Sequence, residues 1–256
     1  MRKFFIVLVG GSLTVFGAIF GVAFTGSASH AAGAKEFVLA VSWQPAFCET
    51  HRDKLECLTQ TRERFDATAL ALHGLWPQPK GATYCNVEQK IKAKDKAGDW
   101  DKLPASTLSA SNWAMLQKIM PGTQSYLNRH EWIKHGSCSG MSQTRYFRSS
   151  AKLLALVNRS AVRKLLKSRV GTLVMRKDIA AAFDKAFGPG AGKRVVFKCR
   201  KVGARWLLTE MRLHLSGPLG QGLSGKADMG RLLLAASPVS PGRRECGVMT
   251  IDPVGY

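Results

Sequence analysis

The six cysteines restrict the possible folds of this chain more than any other feature. They are even in number, irregularly spaced and free of CxxC pairs, a pattern that does not suit a zinc cluster. Such a set is typical of disulfides formed in an oxidising compartment, and the spacing alone leaves the pairing open. The sequence therefore predicts three disulfides, in a protein that leaves the cytosol, among Cys48, Cys57, Cys85, Cys138, Cys199 and Cys246.

The N-terminus has the order of segments found in exported proteins. Two basic residues precede an apolar run over residues 4–24, and small residues follow that run. This order predicts a signal peptide, residues 1–31, cut after Ala31 or after Ser29. The alternative is an uncleaved membrane anchor, because the run approaches the ~20 residues that a bilayer requires. Since no second span or basic stop follows, we expect a periplasmic or secreted protein without stable membrane association.

The rest of the chain is predicted to be one domain. The sequence is 45% hydrophobic and 21% charged, which is typical of a globular protein, and no repeat divides residues 32–256. Strands at both ends with helices between them predict an α+β fold, and we expect a monomer. The patterns place strands at residues 37–43, 69–72, 194–199 and 206–215, and helices at residues 111–120, 126–134, 143–157, 160–167 and 176–187.

The net charge favours a polyanionic partner. The formal charge is +21, and removing residues 1–31, with two basic residues and no acidic one, leaves +19. Residues 145–256 carry 22 Lys and Arg against 6 Asp and Glu. Such a surface suits a nucleic-acid backbone. A heparin-like polymer, an anionic lipid or a solvated coat that keeps the protein soluble would account for the charge equally well.

Two short motifs carry candidate chemistry. The first motif is HGLWP, residues 73–77, in which His73 directly follows the predicted strand 69–72. Gly74 would let the backbone turn sharply and leave the imidazole exposed at the strand end. The second motif is HEWIKHGSC, residues 130–138. These motifs supply the candidate site residues.

The second motif packs two imidazoles, a carboxylate and an ammonium into six residues. On a helix, Glu131 and His135 share one face, and His130 and Lys134 share another. A structural role, such as His130 capping a helix, is the alternative interpretation. A buried cluster of this polarity is costly, which favours a functional role.

A metal-dependent hydrolase that uses His130, Glu131 and His135 is a rival hypothesis. Metalloprotease helices place their two histidines four positions apart. Here the histidines are five apart, so a regular helix cannot direct both at one ion. We therefore expect no metal and no cofactor.

Two histidines with Lys and Glu match the groups that cleave a phosphodiester next to a 2′-hydroxyl. One group removes the hydroxyl proton and another protonates the departing 5′-oxygen, while cations offset the charge of the phosphorane. This inventory favours RNA as the substrate.

The two motifs closely resemble the paired active-site segments of the ribonuclease T(2) family, whose bacterial members include periplasmic enzymes. The order HGLWP, a cysteine, then HEWxKHGxC carries the resemblance, and similarity extends to residues 37–45, 81–85 and 208–213. The resemblance implies an antiparallel sheet flanked by helices. It also implies a metal-independent endoribonuclease that cuts single-stranded RNA with little base specificity, giving 2′,3′-cyclic phosphates and then, more slowly, 3′-phosphates.

The resemblance implies a role for each matched residue. His135 would take the 2′-hydroxyl proton, and His73 would protonate the leaving 5′-oxygen. Glu131 and Lys134 would support the pentavalent phosphorus, and His130 would bind phosphate. A neutral base and a charged acid would give a bell-shaped rate profile around the reference histidine pKa of about 6.5.

The resemblance also bears on residues that take no part in the chemical step. Trp76 and Tyr84 fall where the family stacks a base. Gln78 stands where some relatives carry an acid, and His214, taken as structural, stands where many carry a further Cys. The implied disulfides, of which the second would tie the two motifs together, are Cys48–Cys57, Cys85–Cys138 and Cys199–Cys246. A non-catalytic, secreted polyanion-binding protein on the same scaffold is the alternative function.

Overall fold

The computed structural model of the chain describes residues 36–219, 223, 225–240 and 246–255, together with Met1 and Phe4. The helices and strands described below belong to the unit Ala32–Tyr256. The predicted signal peptide, residues 1–31, lies outside the described residues except for Met1 and Phe4. Among the helices of the described ranges, none has the length and apolar character needed to cross a membrane.

A six-stranded sheet forms the centre of the described fold. Its strands are β1 (Glu36–Ser42), β2 (Ala71–Pro77), β3 (Leu173–Met175), β4 (Val195–Val202), β5 (Arg205–Ser216) and β6 (Val248–Thr250). The order is β2-β1-β5-β6-β3, and β4 pairs with β5 outside that path. The pairs are antiparallel except that β6 lies parallel to β5 where Thr250 meets Leu207.

Nine α-helices surround the sheet in the described part of the chain. They are α1 (Gln44–Cys48), α2 (Leu55–Leu58), α3 (Gln89–Ala97), α4 (Ala110–Ile119), α5 (Leu127–Lys134), α6 (Gln143–Asn158), α7 (Ala161–Ser168), α8 (Arg176–Phe187) and α9 (Lys226–Ala235). Short 3₁₀ helices lie at Phe65–Ala67, Trp100–Lys102, Pro121–Ser125, Gly136–Cys138 and Ala191–Arg194. Ser109, Ser142 and Ser160 cap α4, α6 and α7 by accepting backbone N–H bonds, which leaves fewer unsatisfied donors at those helix ends.

The core lies between the sheet and the helices packed on it. α6 packs on β1 and β2, and α9 packs on β5. β1 is buried on both faces, which explains its nearly continuous apolar sequence. Large side chains that are at most 2% exposed, including Phe37, Phe147, Phe183 and Phe197, fill the interior and supply most of the apolar burial that stabilises the fold.

The predicted α+β fold is confirmed, and the antiparallel sheet implied by the resemblance is found except at β6. The five predicted helices correspond to α4–α8, with ends that differ by about one residue. The prediction for residues 176–187 coincides with α8, whose end is set by Gly188 at φ 107°. The sequence did not predict α1, α2, α3, α9, β3 or β6.

The predicted strand at residues 69–72 is wrong at both ends, because β2 begins at Ala71 and ends at Pro77. β2 continues through the first motif to Pro77, so His73 lies within a strand and not at a strand end. Ala40 pairs with Gly74 and Val41 with Leu72, which leaves His73 as the extra residue of a β-bulge. A bulge redirects the side chain of its extra residue, and this explains how a strand residue reaches the site.

The structure contains the three disulfides whose pairing the resemblance implies. Cys138 ends the 3₁₀ helix that follows α5, and its partner Cys85 lies in the loop after β2. The Cys85–Cys138 bond therefore holds this loop, with Tyr84, against the second motif. It does not reach the first motif itself, so the expected direct link between the two motifs comes from side-chain contacts instead.

Candidate active site

A partly buried hydrogen bond joins the two motifs. The Trp76 indole Nε1–H donates to Glu131 Oε2 at 2.8 Å. Gly74 makes room for this contact, because a Cβ at that position would collide with the Glu131 carboxylate. On the other side the Tyr146 hydroxyl donates to Leu75 O at 2.9 Å and accepts from Leu75 N–H at 3.2 Å. β2 is thus held in register with the second motif.

His73 is oriented by a carboxylate of β5 that the sequence analysis did not single out. Glu210 Oε2 lies 2.5 Å from His73 Nδ1. An ionised carboxylate can only accept, so Nδ1 carries the proton and Nε2 is the atom available to a ligand. Glu210 Oε1 accepts from Arg212 Nε at 2.5 Å, which fixes the carboxylate. The His73 side chain stays 32% exposed and can be reached from solvent.

The surroundings favour the charged form of His73. Burial lowers its pKa, but the hydrogen bond to Glu210 and the negative charges of Glu131 and Glu210 outweigh this effect, and the pKa is raised above 6.5. Burial also acts on Glu210, yet His73 and Arg212 hold the pKa of Glu210 below its usual range. The raised pKa of His73 and the lowered pKa of Glu210 both favour the ion pair, in which His73 carries a proton that it can donate.

Trp76 lies between the imidazoles of the two motifs. The His73 ring is edge-on to the indole with centroids 5.3 Å apart, and the His135 ring is tilted against it at 5.4 Å. The Arg212 guanidinium lies over the same indole, 4.8 Å from its centroid. Two histidines from distant parts of the chain thus flank one side chain.

His135 has the opposite environment to His73. It is the C-cap of α5, with φ −114°, so its side chain departs from the regular helical direction. Burial, followed by the positive charges of Lys134, His130 and His73, lowers its pKa to about 3. His135 is therefore neutral at physiological pH and can accept a proton.

Glu131 is a buried carboxyl with one free oxygen. The residue is 1% exposed, and its Oε1 has no hydrogen-bond partner among the described residues. Oε1 lies 3.6 Å from His73 Nε2, too far for a hydrogen bond but close for two charges. Burial raises the pKa of Glu131 although His73, His130 and the Trp76 N–H favour the anion. The group can thus hold or release a proton at the centre of the site.

His130 is held by a chain of hydrogen bonds on the opposite side of the site. Its Nδ1 lies 2.8 Å from Asp95 Oδ1, and Tyr84 donates its hydroxyl to Asp95 Oδ2 at 2.7 Å. The Trp100 ring stacks on His130 at 4.4 Å. Burial opposes ionisation of Asp95, but the bonds to His130 and Tyr84 prevail and lower its pKa. His130 Nε2 is therefore available to a ligand. The ring centroids of His130 and His135 lie 6.3 Å apart.

Lys134 completes the group of predicted catalytic residues. It is half-buried and forms no ion pair with any residue in the part of the chain that the structure describes. Its charge lowers the pKa of both His135 and Glu131, which places the ammonium close to both. The site therefore contains an uncommitted cation beside a neutral imidazole, as an incoming phosphate requires.

The two predicted base-binding residues have structural contacts of their own. Tyr84 adopts φ 58°, its N–H donates to Lys134 O at 2.9 Å, and Lys92 lies 5.3 Å from the centre of its ring. Trp76 is covered on one face by Arg212. Both rings lie at the site, but each also supports a charged neighbour.

The expectation that His130 and His135 cannot approach one ion is wrong in its geometry. Because α5 ends at Lys134, the potential donor atoms of His130, Glu131 and His135 all lie within 4.8 Å of one another. A zinc ion with bonds of about 2.1 Å needs tetrahedral donors roughly 3.4 Å apart. The nearby Lys134 ammonium and the charged His73 suit an anion better than a cation.

A cleft of about 500 Å³ opens beside His73, and His135 is not among the residues that line it. One wall is formed by β4 and β5, with Lys198, Arg200 and Arg212. The opposite wall is formed by the α1–α2 segment, and Phe47 and His51 stack there with centroids 4.1 Å apart. The cleft gives an elongated ligand a path that starts at His73.

Sequence reasoning missed Glu210, Asp95 and Arg212. Glu210 had a usable signal, since it is a carboxylate within the apolar run of β5 and is only 8% exposed. Asp95 had none, because α3 is polar on most faces and its one buried side chain is not distinguished by pattern.

The chain is similar in sequence to known ribonucleases. A family model described as the ribonuclease T2 family matches residues 34–220, a range that contains every catalytic candidate. Ribonuclease I of Escherichia coli K12 is 31% identical over 244 residues, covering 86% of this chain and 87% of that protein. Intracellular ribonuclease LX of Solanum lycopersicum is 27% identical over 158 residues, covering 59% of this chain and 62% of that protein.

Solved structures share the fold. RNase NT in complex with 5′-AMP superposes with a TM-score of 0.56 at 18% identity, over 85% of this chain and 98% of that chain. The SF11-RNase of Nicotiana alata, associated with gametophytic self-incompatibility, superposes with a TM-score of 0.54 at 16% identity, over 86% and 99%. At these identities the likeness concerns the fold.

Proposed function

The chain belongs to the ribonuclease T2 family, and we therefore propose that it is an exported endoribonuclease that cleaves single-stranded RNA through the RNA's own 2′-hydroxyl. One observation carries the proposal. Two histidines flank Trp76, and their environments move their pKa values in opposite directions, His73 upward and His135 downward. Such a pair supplies an acid and a base at the same pH.

In the first step the neutral His135 removes the proton of the 2′-hydroxyl. The 2′-oxygen attacks phosphorus, and the bond from phosphorus to the 5′-oxygen breaks. His73 donates its Nε2 proton to that 5′-oxygen, so the leaving group departs as a neutral hydroxyl. The products are a 2′,3′-cyclic phosphate end and a free 5′-hydroxyl end.

In the slower second step the histidines exchange roles. His73, now neutral, takes a proton from water, which attacks the cyclic phosphate. His135, now charged, protonates the 2′-oxygen as its bond to phosphorus breaks. The product is a 3′-phosphate, and both histidines return to their starting states.

Three further residues stabilise the phosphorane. Lys134 offsets its negative charge, and His130 binds a phosphate oxygen through Nε2 while Asp95 holds Nδ1. The raised pKa of Glu131 favours its protonated form, which can donate a hydrogen bond from the unpartnered oxygen to the phosphorane.

The bases are bound with little discrimination. Trp76 and Tyr84 offer aromatic surface, and stacking on such rings tolerates any base. Gln78 supplies no charged group that would select one base. Export, after removal of residues 1–31, is supported by the order of the N-terminal segments and by three disulfides in the described chain. We expect the exported protein to be a monomer.

The test is incubation of the purified mature protein with a series of RNA homopolymers in a chelator, followed by analysis of the ends. We expect cleavage of each homopolymer with 2′,3′-cyclic phosphate ends, and no cleavage of single-stranded DNA, which lacks the attacking hydroxyl. Binding without cleavage would favour the polyanion-binding alternative. Loss of cleavage in the chelator, with recovery on adding zinc, would favour a metal site at His130, Glu131 and His135.

A further inference from the structure

The residues that line the cleft beside His73 indicate which part of the RNA it would hold. Its lining includes His73, Glu210 and Arg212, whereas His135 and Lys134 do not line it. In the proposed function His73 protonates the leaving 5′-oxygen, so the cleft lies on the side of the leaving nucleoside. RNA that continues 3′ of the cut must therefore pass along this cleft.

Two cations follow one another along the β4 wall of the cleft. Lys198 and Arg200 are two positions apart on β4, so their side chains lie on the same face, about 6.6 Å apart. Both line the cleft, and neither forms an ion pair with a carboxylate in the described ranges. The carboxylate across the strands from Lys198 is Glu210, which is already engaged by His73 and Arg212.

The distance from the acid suits the next phosphate of an RNA chain. Lys198 pairs in register with Glu210 on β5, and β1 lies between β5 and the His73 strand β2, so three strand spacings, roughly 14 Å in all, separate the backbones of Lys198 and His73. The His73 and Glu210 side chains meet across part of this distance, and the long Lys198 side chain shortens the rest. A nucleoside placed in the cleft would present its 3′-phosphate to this pair of cations.

We propose that Lys198 and Arg200 form a second phosphate-binding subsite, which takes the phosphate on the 3′ side of the leaving nucleoside. The inference rests on the proposed function, since it uses His73 as the acid. The subsite makes RNA strands that extend beyond the leaving nucleoside better substrates than a dinucleoside monophosphate, because the second phosphate is bound only when it is present.

The experiment compares uridylyl-adenosine with the same dinucleotide carrying a 3′-terminal phosphate. The unaltered protein should cleave the phosphorylated substrate with a kcat/KM roughly fivefold higher, the effect of one charge-assisted contact at a partly exposed site. Lys198→Ala and Arg200→Ala should reduce that advantage, and Lys198→Glu should turn it into a disadvantage. The matched control is Lys201→Ala, which removes the same charge from the same strand outside the cleft and should keep the advantage.

The outcomes separate the two hypotheses. If the unaltered protein cleaves uridylyl-adenosine to a cyclic phosphate but shows no advantage for the phosphorylated substrate, the subsite is rejected while the function stands. An advantage lost equally in Lys201→Ala would reject the subsite as well, because it would reflect net charge alone. If uridylyl-adenosine is not cleaved at all, the proposed function fails and the subsite fails with it.

Discussion

The Glu210 carboxylate contacts His73 at Nδ1, 2.5 Å away, and leaves Nε2 of the same ring on the side of Glu131, 3.6 Å from Glu131 Oε1. No carboxylate among the described residues forms such a hydrogen bond with His135, whose near neighbours include the cationic Lys134. The two histidines are chemically identical in the unfolded chain. Their surroundings in the fold make one an acid and the other a base.

Glu210→Gln tests this arrangement. The amide oxygen can still accept from His73 Nδ1, but the negative charge that raises the His73 pKa is gone. The alkaline limb of kcat/KM should move to lower pH, and activity at pH 7.5 should fall by roughly 10- to 100-fold, as is typical when a partner that orients a functional histidine is changed. The measurement is kcat/KM for a dinucleoside monophosphate across pH. Glu36→Gln, an exposed carboxylate on β1, is the control and should leave the limb in place.

An unshifted alkaline limb in Glu210→Gln would mean that His73 does not depend on Glu210 for its charge. A general loss of activity with an unchanged profile would instead indicate a purely structural role of the carboxylate.

The pH profile of the unaltered protein should be broader than two unperturbed histidines would give. The pKa of His135 is about 3, so the base stays neutral until strongly acidic pH, and the raised pKa of His73 keeps the acid charged above pH 6.5. Activity should therefore fall at the acid end as His135 gains a proton and at the alkaline end as His73 loses one.

Bound phosphate adds a second expectation for the same profile. Its negative charge offsets Lys134 and His130, which lower the pKa of His135 in the free protein. The acid limb of kcat should accordingly lie at higher pH than that of kcat/KM, since kcat reports the complex. A narrow profile centred near pH 6.5, with identical limbs for both parameters, would contradict these assignments.

Gly74→Ala tests the contact between the motifs. A Cβ at this position would collide with the Glu131 carboxylate, so Glu131 or β2 has to shift. We expect a loss of roughly 1–3 kcal/mol in the free energy of unfolding, together with a lower kcat. Denaturant unfolding and steady-state kinetics measure the two effects. Gly247→Ala, where a Cβ meets nothing within 4 Å, is the matched control; equal effects of both substitutions would rule out a special role for Gly74.

The sequence predicted which residues form the site better than it predicted where those residues lie. The two motifs name His73, Glu131, Lys134 and His135 because these residue types are rare together. Their positions depend on local irregularities that periodicity does not show. His73 is directed by a bulge, and His135 leaves the helical direction at the end of α5.

The contacts of the supporting residues could not be predicted for the same kind of reason. Glu210 comes to His73 through the pairing of β5 with β1, and Asp95 comes to His130 through the packing of α3 on α5. Both contacts join segments far apart in the chain. The ends of the major helices, by contrast, are determined by nearby residues, namely serine caps and a terminating glycine. The sequence therefore predicted these helix ends to about one residue.

The roles of acid and base are tested most directly by a substrate that needs no acid. In a nucleoside 3′-(4-nitrophenyl phosphate) the leaving phenolate departs without a proton, whereas the 2′-hydroxyl still has to lose one. His73→Ala should reduce kcat/KM by roughly 10²- to 10⁴-fold on a dinucleoside monophosphate and scarcely at all on the aryl ester, while His135→Ala should reduce both. If His73→Ala were as harmful with the aryl ester as with the dinucleotide, or if His135→Ala alone were rescued by it, the assignment of His73 as acid and His135 as base would be wrong.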